Sequence, residues 1–304
     1  MFKYSSPFTK LVLSSFIILV SYLIFFLLGS LFAYIFFKFN IFADAGEIIK
    51  NQGNTFINEE KYFQIVQSLG TFVVPPLIIA RLFNNNINEY LQLKKAPLPS
   101  SVVIIIFVPI FSLPLINFLT YLNSHLSLPQ FLSPVESWMK DTEEYAGEIT
   151  ERFLAVSTIQ GFLVNLFMIA LIPAVGEEFL FRGVLQKIFI EWTKNIHWGI
   201  IISALLFSTF HLQFYGFLPR LMLGIFFGYL FVWSGSLWLP VLAHFFNNSV
   251  AVFFYFIAGK EMNDKIDTLG AGTFKASDII LLIVSVVLVS AIIILVFRKE
   301  KRVL

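Results

Sequence analysis

The chain contains no cysteine. That excludes disulfides, a thiol nucleophile and thiolate-bound metal. Charge is scarce too. Of 304 residues, 13% are Asp, Glu, Lys or Arg, against about a quarter in soluble domains. The formal net charge of +2 is dispersed over loops, without the basic stripe of a nucleic-acid footprint, so no nucleic acid is expected as a partner. There is no HExxH pattern, and no internal repeat of the kind that marks inverted-repeat transporters.

What remains is grease. Hydrophobic residues make up 58% of the chain and mean hydropathy is +0.82. Apolar runs at Leu11 to Phe37, Phe63 to Ala80, Val102 to Leu122, Thr158 to Val175 and onward, Trp198 to Phe210, Leu221 to Trp233, Leu237 to Ala258 and Ile279 to Phe297 mostly approach the ~20 residues that span hydrocarbon. The expected fold is all-α, a polytopic membrane helix bundle with about eight transmembrane helices. The first run is too long for a signal-peptide core and should remain as an anchor.

Lysine and arginine favour short cytoplasmic loops. Lys3 and Lys10 precede the first span, Arg81, Lys94 and Lys95 follow the second, and the tail reads Arg298, Lys299, Glu300, Lys301, Arg302. The loops after the first and third spans are acidic, with Asp44, Glu47, Glu59 and Glu60 against Lys50 and Lys61 in one, and Glu136, Asp141, Glu143, Glu144, Glu148 and Glu151 in the other. Both termini therefore read as cytoplasmic. The second acidic loop also holds Pro129, Pro134 and Trp138, and fits either a helix on the outer surface or a solvated loop. Pro75, Pro76, Pro109 and Pro114 should kink their spans, while Gly224 and Gly228 offer a close helix contact.

Ionised groups inside a span need a reason. Glu177, Glu178 and Arg182 lie within the apolar stretch Ile159 to Ile190, and His211 and His244 follow in later spans. Glu178 and Arg182, four apart, share a helix face and can pair. Glu177, about 100° round the helix, is then surplus and needs a partner or water. Pro173 leaves the carbonyl of Ile169 without its usual donor, and Gly176 and Gly183 bare the backbone beside the acids, so local water access is expected. As one helix, Thr158 to Trp192 would run about 50 Å, so it must tilt, kink or project.

Glu177 lies eighteen residues before Asn195 and His211 sixteen after it, so a hairpin turning there brings both to nearly one depth. His244 and Asn248 share a face, but counting from Gly235 leaves His244 about 10 Å short of His211 unless a helix tilts or the Leu212 to Pro219 segment is re-entrant. An acid, two imidazoles and a carboxamide suit water-mediated amide hydrolysis. Glu177 would be general base on a water also held by His211, and His244 and Asn248 would donate to the oxyanion. The same Glu177, His211 and His244 could instead bind Zn²⁺ with an open fourth position, so the cofactor reads as none or Zn²⁺. The plainer alternative for each histidine is packing, with its ring bonded to nearby backbone.

Three motifs carry a resemblance: EExxxR at Glu177, Glu178 and Arg182, FxxxH from Phe207 to His211, and HxxxN from His244 to Asn248. In order on consecutive apolar segments, they make residues Ile159 to Val252 similar to the CPBP family, the CAAX proteases and bacteriocin-processing enzymes also called Abi. The resemblance implies an intramembrane endopeptidase acting on a membrane-associated protein or peptide. Glu177 would be its catalytic glutamate, His211 its water-positioning partner, and His244 with Asn248 its oxyanion hole, while Glu178 and Arg182 complete the signature. It leaves glutamate-type and metal-dependent catalysis both open, and fits a non-catalytic binding or bacteriocin-immunity protein as well. The organisation expected is 1–157 as N-terminal helices and outer acidic loop, 158–258 as catalytic core, and 259–304 as last helix and basic tail. The expected setting is a multi-pass protein of the bacterial cytoplasmic membrane.

Overall fold

A computed structural model describes residues 2–41, 43, 56–126, 128–267 and 276–300. Asp44, Glu47, Lys50, Lys301 and Arg302, used in reading the topology, lie outside the described residues. In hydrocarbon every backbone polar group must pair within its own segment, and a helix does so. The helices are α1 (Pro7–Phe37), α2 (Ile57–Phe83), α3 (Pro99–Ile106), α4 (Val108–Ser124), α5 (Ser133–Leu154), α6 (Ile159–Thr193), α7 (Ile196–Phe210), α8 (Phe217–Ser234), α9 (Trp238–Asp267) and α10 (Ala276–Glu300). A single helical turn, Ile87–Tyr90, follows α2. Among the described residues there is no strand.

Six helices, α1, α2, α6, α8, α9 and α10, are long and apolar enough to cross a membrane, and α3 with α4, bent by 43°, makes a seventh if the pair is one span. The remaining expected span is α7, whose 15 residues reach only about 22 Å, short of the ~30 Å hydrocarbon core. Length and composition thus support six to seven crossings where about eight were expected. The protein is a multi-pass integral membrane protein, built inside out. On α1 the buried residues are Lys10, Ser14, Ser21, Gly29 and Ala33, while Leu19, Leu23, Leu27 and Leu31 are exposed. Phe2 donates its backbone N–H to Leu82, Lys10 pairs with Glu191 at 2.7 Å, and Trp233 packs on Phe297.

Proline shapes α2 and α6. Lacking an N–H and crowding the preceding turn, it is accommodated by widening that turn. A π turn at Leu69–Val73 comes just before Pro75 and Pro76, and another at Leu166–Leu171 just before Pro173. The break between α3 and α4 falls at Phe107, two residues before Pro109, whereas Pro114 sits inside a helix that continues through it. A third π turn, Phe181–Leu185, contains Arg182 and has no proline. Helix α6 therefore covers its 35 residues with two local distortions.

The acidic segment after α4 is helical. On α5, Thr142, Tyr145, Ala146, Ile149 and Phe153 turn one face to a cavity, and Asp141, Glu144 and Glu148 are exposed on another. Trp138 packs on Phe214 with ring centroids 5.3 Å apart.

The depth mismatch of His244 is resolved at the start of α9. Leu237 donates to the carbonyl of Gln92 and packs against Gly183, with Leu91 beside it. This inset start places His244, seven residues on, against Glu177, six residues before Gly183 on a helix running the other way. Contrary to the water access expected from the sequence, the backbone at Gly183 and Gly176 is closely packed. A Cβ on Gly183 would lie 2.8 Å from Leu91 and one on Gly176 2.8 Å from Phe72, so both bare positions are filled by close packing.

Candidate active site

Glu178 and Arg182 are deeply enclosed charges, with 0% and 1% of their surface exposed. Arg182 Nη1 donates to Glu178 Oε1 at 2.8 Å, the i,i+4 pair read from sequence, and its Nη2 donates to the carbonyl of Gly224 at 2.9 Å. The guanidinium faces the rings of Phe207 and Phe227 at 4.7 and 5.5 Å from their centroids. The two charges offset one another and two guanidinium N–H groups are bonded, while Glu178 Oε2 is buried without a hydrogen-bond partner. Glu178 Oε1 also accepts from His244 Nδ1 at 2.9 Å. The imidazole is gripped further by stacking on Phe227, ring centroids 5.1 Å apart, and by an edge contact with Phe207.

His211 directly follows the last residue of α7. Its Nδ1 donates to the carbonyl of Phe207 at 2.8 Å, which is why the motif spaces the two residues by one helical turn. In both rings the acceptor at Nδ1 fixes where the first proton sits, and Nε2 of the neutral imidazole is left with a lone pair. Both Nε2 atoms lie 3.9 Å from Glu177 Oε2, an oxygen that is buried without a hydrogen-bond partner. Three acceptors thus converge with no donor among them. A water, carrying two hydrogens, can donate to Glu177 and to one of the two imidazoles, and 3.9 Å is within the span of one bridging molecule.

Glu177, His211 and Asn248 line a cavity of about 500 Å³, together with Pro173 and Ile169 of α6 and the inner face of α5. The separate helices α6, α7 and α9 therefore bring five of the six predicted residues into mutual contact or close approach: Glu177, Glu178, Arg182, His211 and His244. Asn248 reaches the same cavity but is engaged elsewhere. Its Nδ2 donates to the carbonyl of Ile169 at 3.2 Å, the acceptor that Pro173 deprived of its helical donor, and its Oδ1 accepts from Asn247. One amide hydrogen of Asn248 stays available to the cavity.

Could Glu177, His211 and His244 hold zinc? Ligands about 2.0–2.1 Å from a tetrahedral ion lie about 3.3 Å from one another. Separations of 3.9 Å are too long, and among the described residues no group of three or more His, Asp or Glu side chains is arranged to hold a metal ion. As placed, these residues do not fit the metal.

Sequence reading missed the residues around the site that carry no motif. Phe227 walls both Arg182 and His244. Arg220, together with Glu143 and Asn123, binds the loop after His211. The one sequence signal for these was a glycine, Gly216, four residues before a lone arginine.

Comparison with known proteins gives a partial match over this region. Residues 159–250 match the family model described as type II CAAX prenyl endopeptidase, Rce1-like. A protein of Bacillus subtilis (strain 168), printed as uncharacterized protein YpbD, is 29% identical over 90 residues, covering 28% of this chain and 43% of that protein. The chain thus spans less than half the length of this relative. No solved structure matches it.

Proposed function

Taking the match of residues 159–250 to Rce1-like endopeptidases as premise, we propose that the protein is an intramembrane endopeptidase that hydrolyses a peptide bond of a membrane-associated protein or peptide. The observation that carries the reading is the unpartnered Oε2 of Glu177, facing two imidazole nitrogens at 3.9 Å on the wall of a cavity. A water held there donates one hydrogen to Glu177 and the other to His211. Glu177 removes the first proton as the oxygen attacks the carbonyl carbon. The oxyanion so formed is met by the second amide hydrogen of Asn248, with the imidazole of His244, oriented through its bond to Glu178, as the other member of the oxyanion hole. Glu177 then passes its proton to the amide nitrogen, the C–N bond breaks as the oxyanion re-forms the carbonyl, and a carboxylic acid and an amine leave. Glu178 and Arg182 touch no reacting atom in this scheme; they fix the ring of His244. The catalytic core is the segment 158–258, and the bilayer is the setting in which the substrate is met.

The test is Glu177→Gln at unchanged expression, read by comparative membrane peptidomics. Loss of the general base is expected to slow cleavage about 10²–10⁴-fold, so an uncut membrane protein accumulates and its fragments vanish. Identical peptide profiles would leave the non-catalytic binding or immunity reading in its place. Because the three candidate ligands stand too far apart for zinc, purified active protein is expected to lack stoichiometric zinc by elemental analysis and to work in the presence of a chelator. Activity removed by chelation and restored by added Zn²⁺ would overturn this.

A further inference from the structure

The His211 imidazole, bonded to Phe207 on α7, stands at the head of a loop tied down by side chains of neighbouring helices. Leu212, the next residue, has φ +52°, a left-handed conformation that a branched side chain adopts at a cost. From there to Phe217 the backbone is held by side chains from four helices. Arg220 of α8 donates through Nη1 to the carbonyl of Gln213 at 3.0 Å and through Nη2 to the Gln213 side-chain oxygen. Asn123 of α4 donates to the carbonyl of Phe214 and accepts from the N–H of Leu218. Glu143 of α5 accepts from the N–H of Tyr215 at 3.1 Å, and Ser208 of α7 donates to the carbonyl of Phe217 at 2.7 Å.

Among these, Arg220 has a berth of its own. A Cβ on Gly216 would stand 2.4 Å from Arg220 Nη1, so this position must be glycine for the guanidinium to lie where it does. Both of its bonds fall on Gln213, two residues from His211. The fork is bidentate, which a lysine cannot reproduce.

We propose that Arg220 is a positioning residue of the hydrolytic site: lodged against Gly216 and bonded twice to Gln213, it holds the 211–216 loop so that His211 Nε2 stays turned to Glu177. The inference rests on the peptidase reading for its catalytic consequence, but its structural half stands apart. Ring placement within about 1 Å is worth as much as 10² in rate. Without Arg220 the strained turn at Leu212 relaxes, His211 swings off the water, and turnover suffers while substrate binding, made elsewhere along the cavity, does not.

The chain has four histidines, few enough to follow each ring by NMR of full-length protein labelled with ¹³C-histidine in detergent micelles. In Arg220→Gln the His211 signal is expected to move while those of His125 and His197 stay. With a quenched fluorescent peptide spanning the cleavage site found in the Glu177→Gln comparison, kcat is expected to fall about 10- to 100-fold and KM to stay within about twofold. Arg220→Lys, keeping the charge and one bond, is expected between Arg220→Gln and the parent. Should Arg220→Gln fail to fold, Gly216→Ala displaces the guanidinium with every charge retained and is expected to give the same signature. A His211 signal that does not move, a moved signal with parental kcat, or full activity in Arg220→Lys would each overturn the inference. Failure of the peptidase reading shows separately, as unchanged peptide profiles in Glu177→Gln.

Discussion

Arg182 shows what a single charge costs and contributes in this bundle. Its guanidinium neutralises Glu178, donates to Gly224 and lies between two phenyl rings, so it joins α6 to α8 while orienting His244 through the shared carboxylate oxygen. Arg182→Met is expected to destabilise by about 3–5 kcal/mol, because it strands a buried carboxylate. Thermal unfolding in detergent measures this. Pairing it with Glu178→Gln, which removes the stranded charge, is expected to recover part of the loss, and a double variant no better than Arg182→Met alone would contradict the account. The pair itself was legible in the sequence, since four residues on a helix can mean only one shared face. Its aromatic walls were not, because any of 38 phenylalanines could have filled them.

Helices α6 and α9 meet through a gap that a proline opens. Pro173 removes the donor for Ile169, and Asn248 supplies another from across the interface. Asn248→Ala is expected to cost about 1–3 kcal/mol by leaving that carbonyl unsatisfied. Pro173→Ala restores an N–H in its place, so in that background Asn248→Ala should cost little, and a double-mutant cycle reads the difference. Equal costs in both backgrounds would show that the two are not linked. The orphaned carbonyl could be foreseen from Pro173 alone, but its partner lies 79 residues away and no local rule names it. The same limit applied to depth. Counting rises from Gly235 assumed that every turn lies at the membrane surface, whereas Leu237 starts its helix beside Gly183, well inside the bundle. The site came together through a packing contact that periodicity does not encode.

At the scale of the molecule, the apolar runs foretold an all-helical membrane bundle, while the common side that the loop charges assign to both ends is an expectation for labelling to test. The number of crossings was less legible. A run of apolar residues says that a helix is buried in grease or protein but not how far it reaches, and α7, which buries one face and exposes Trp198, Leu205 and Phe210, has only 15 residues. The absence of cysteine makes the topology testable: single cysteines at Lys3 and Lys299 are expected to react with an impermeant maleimide only after spheroplasts are opened, both together. Labelling of one without the other would refute a common side. The helix α5 lies over the cavity, its inner face supplying Thr142, Tyr145 and Ile149 and its Glu143 tied to the loop that carries His211. In the endopeptidase proposed above, a peptide and its two fragments would pass this helix on their way to and from Glu177, so the Glu143 tether would bear on release as well as on the loop it holds.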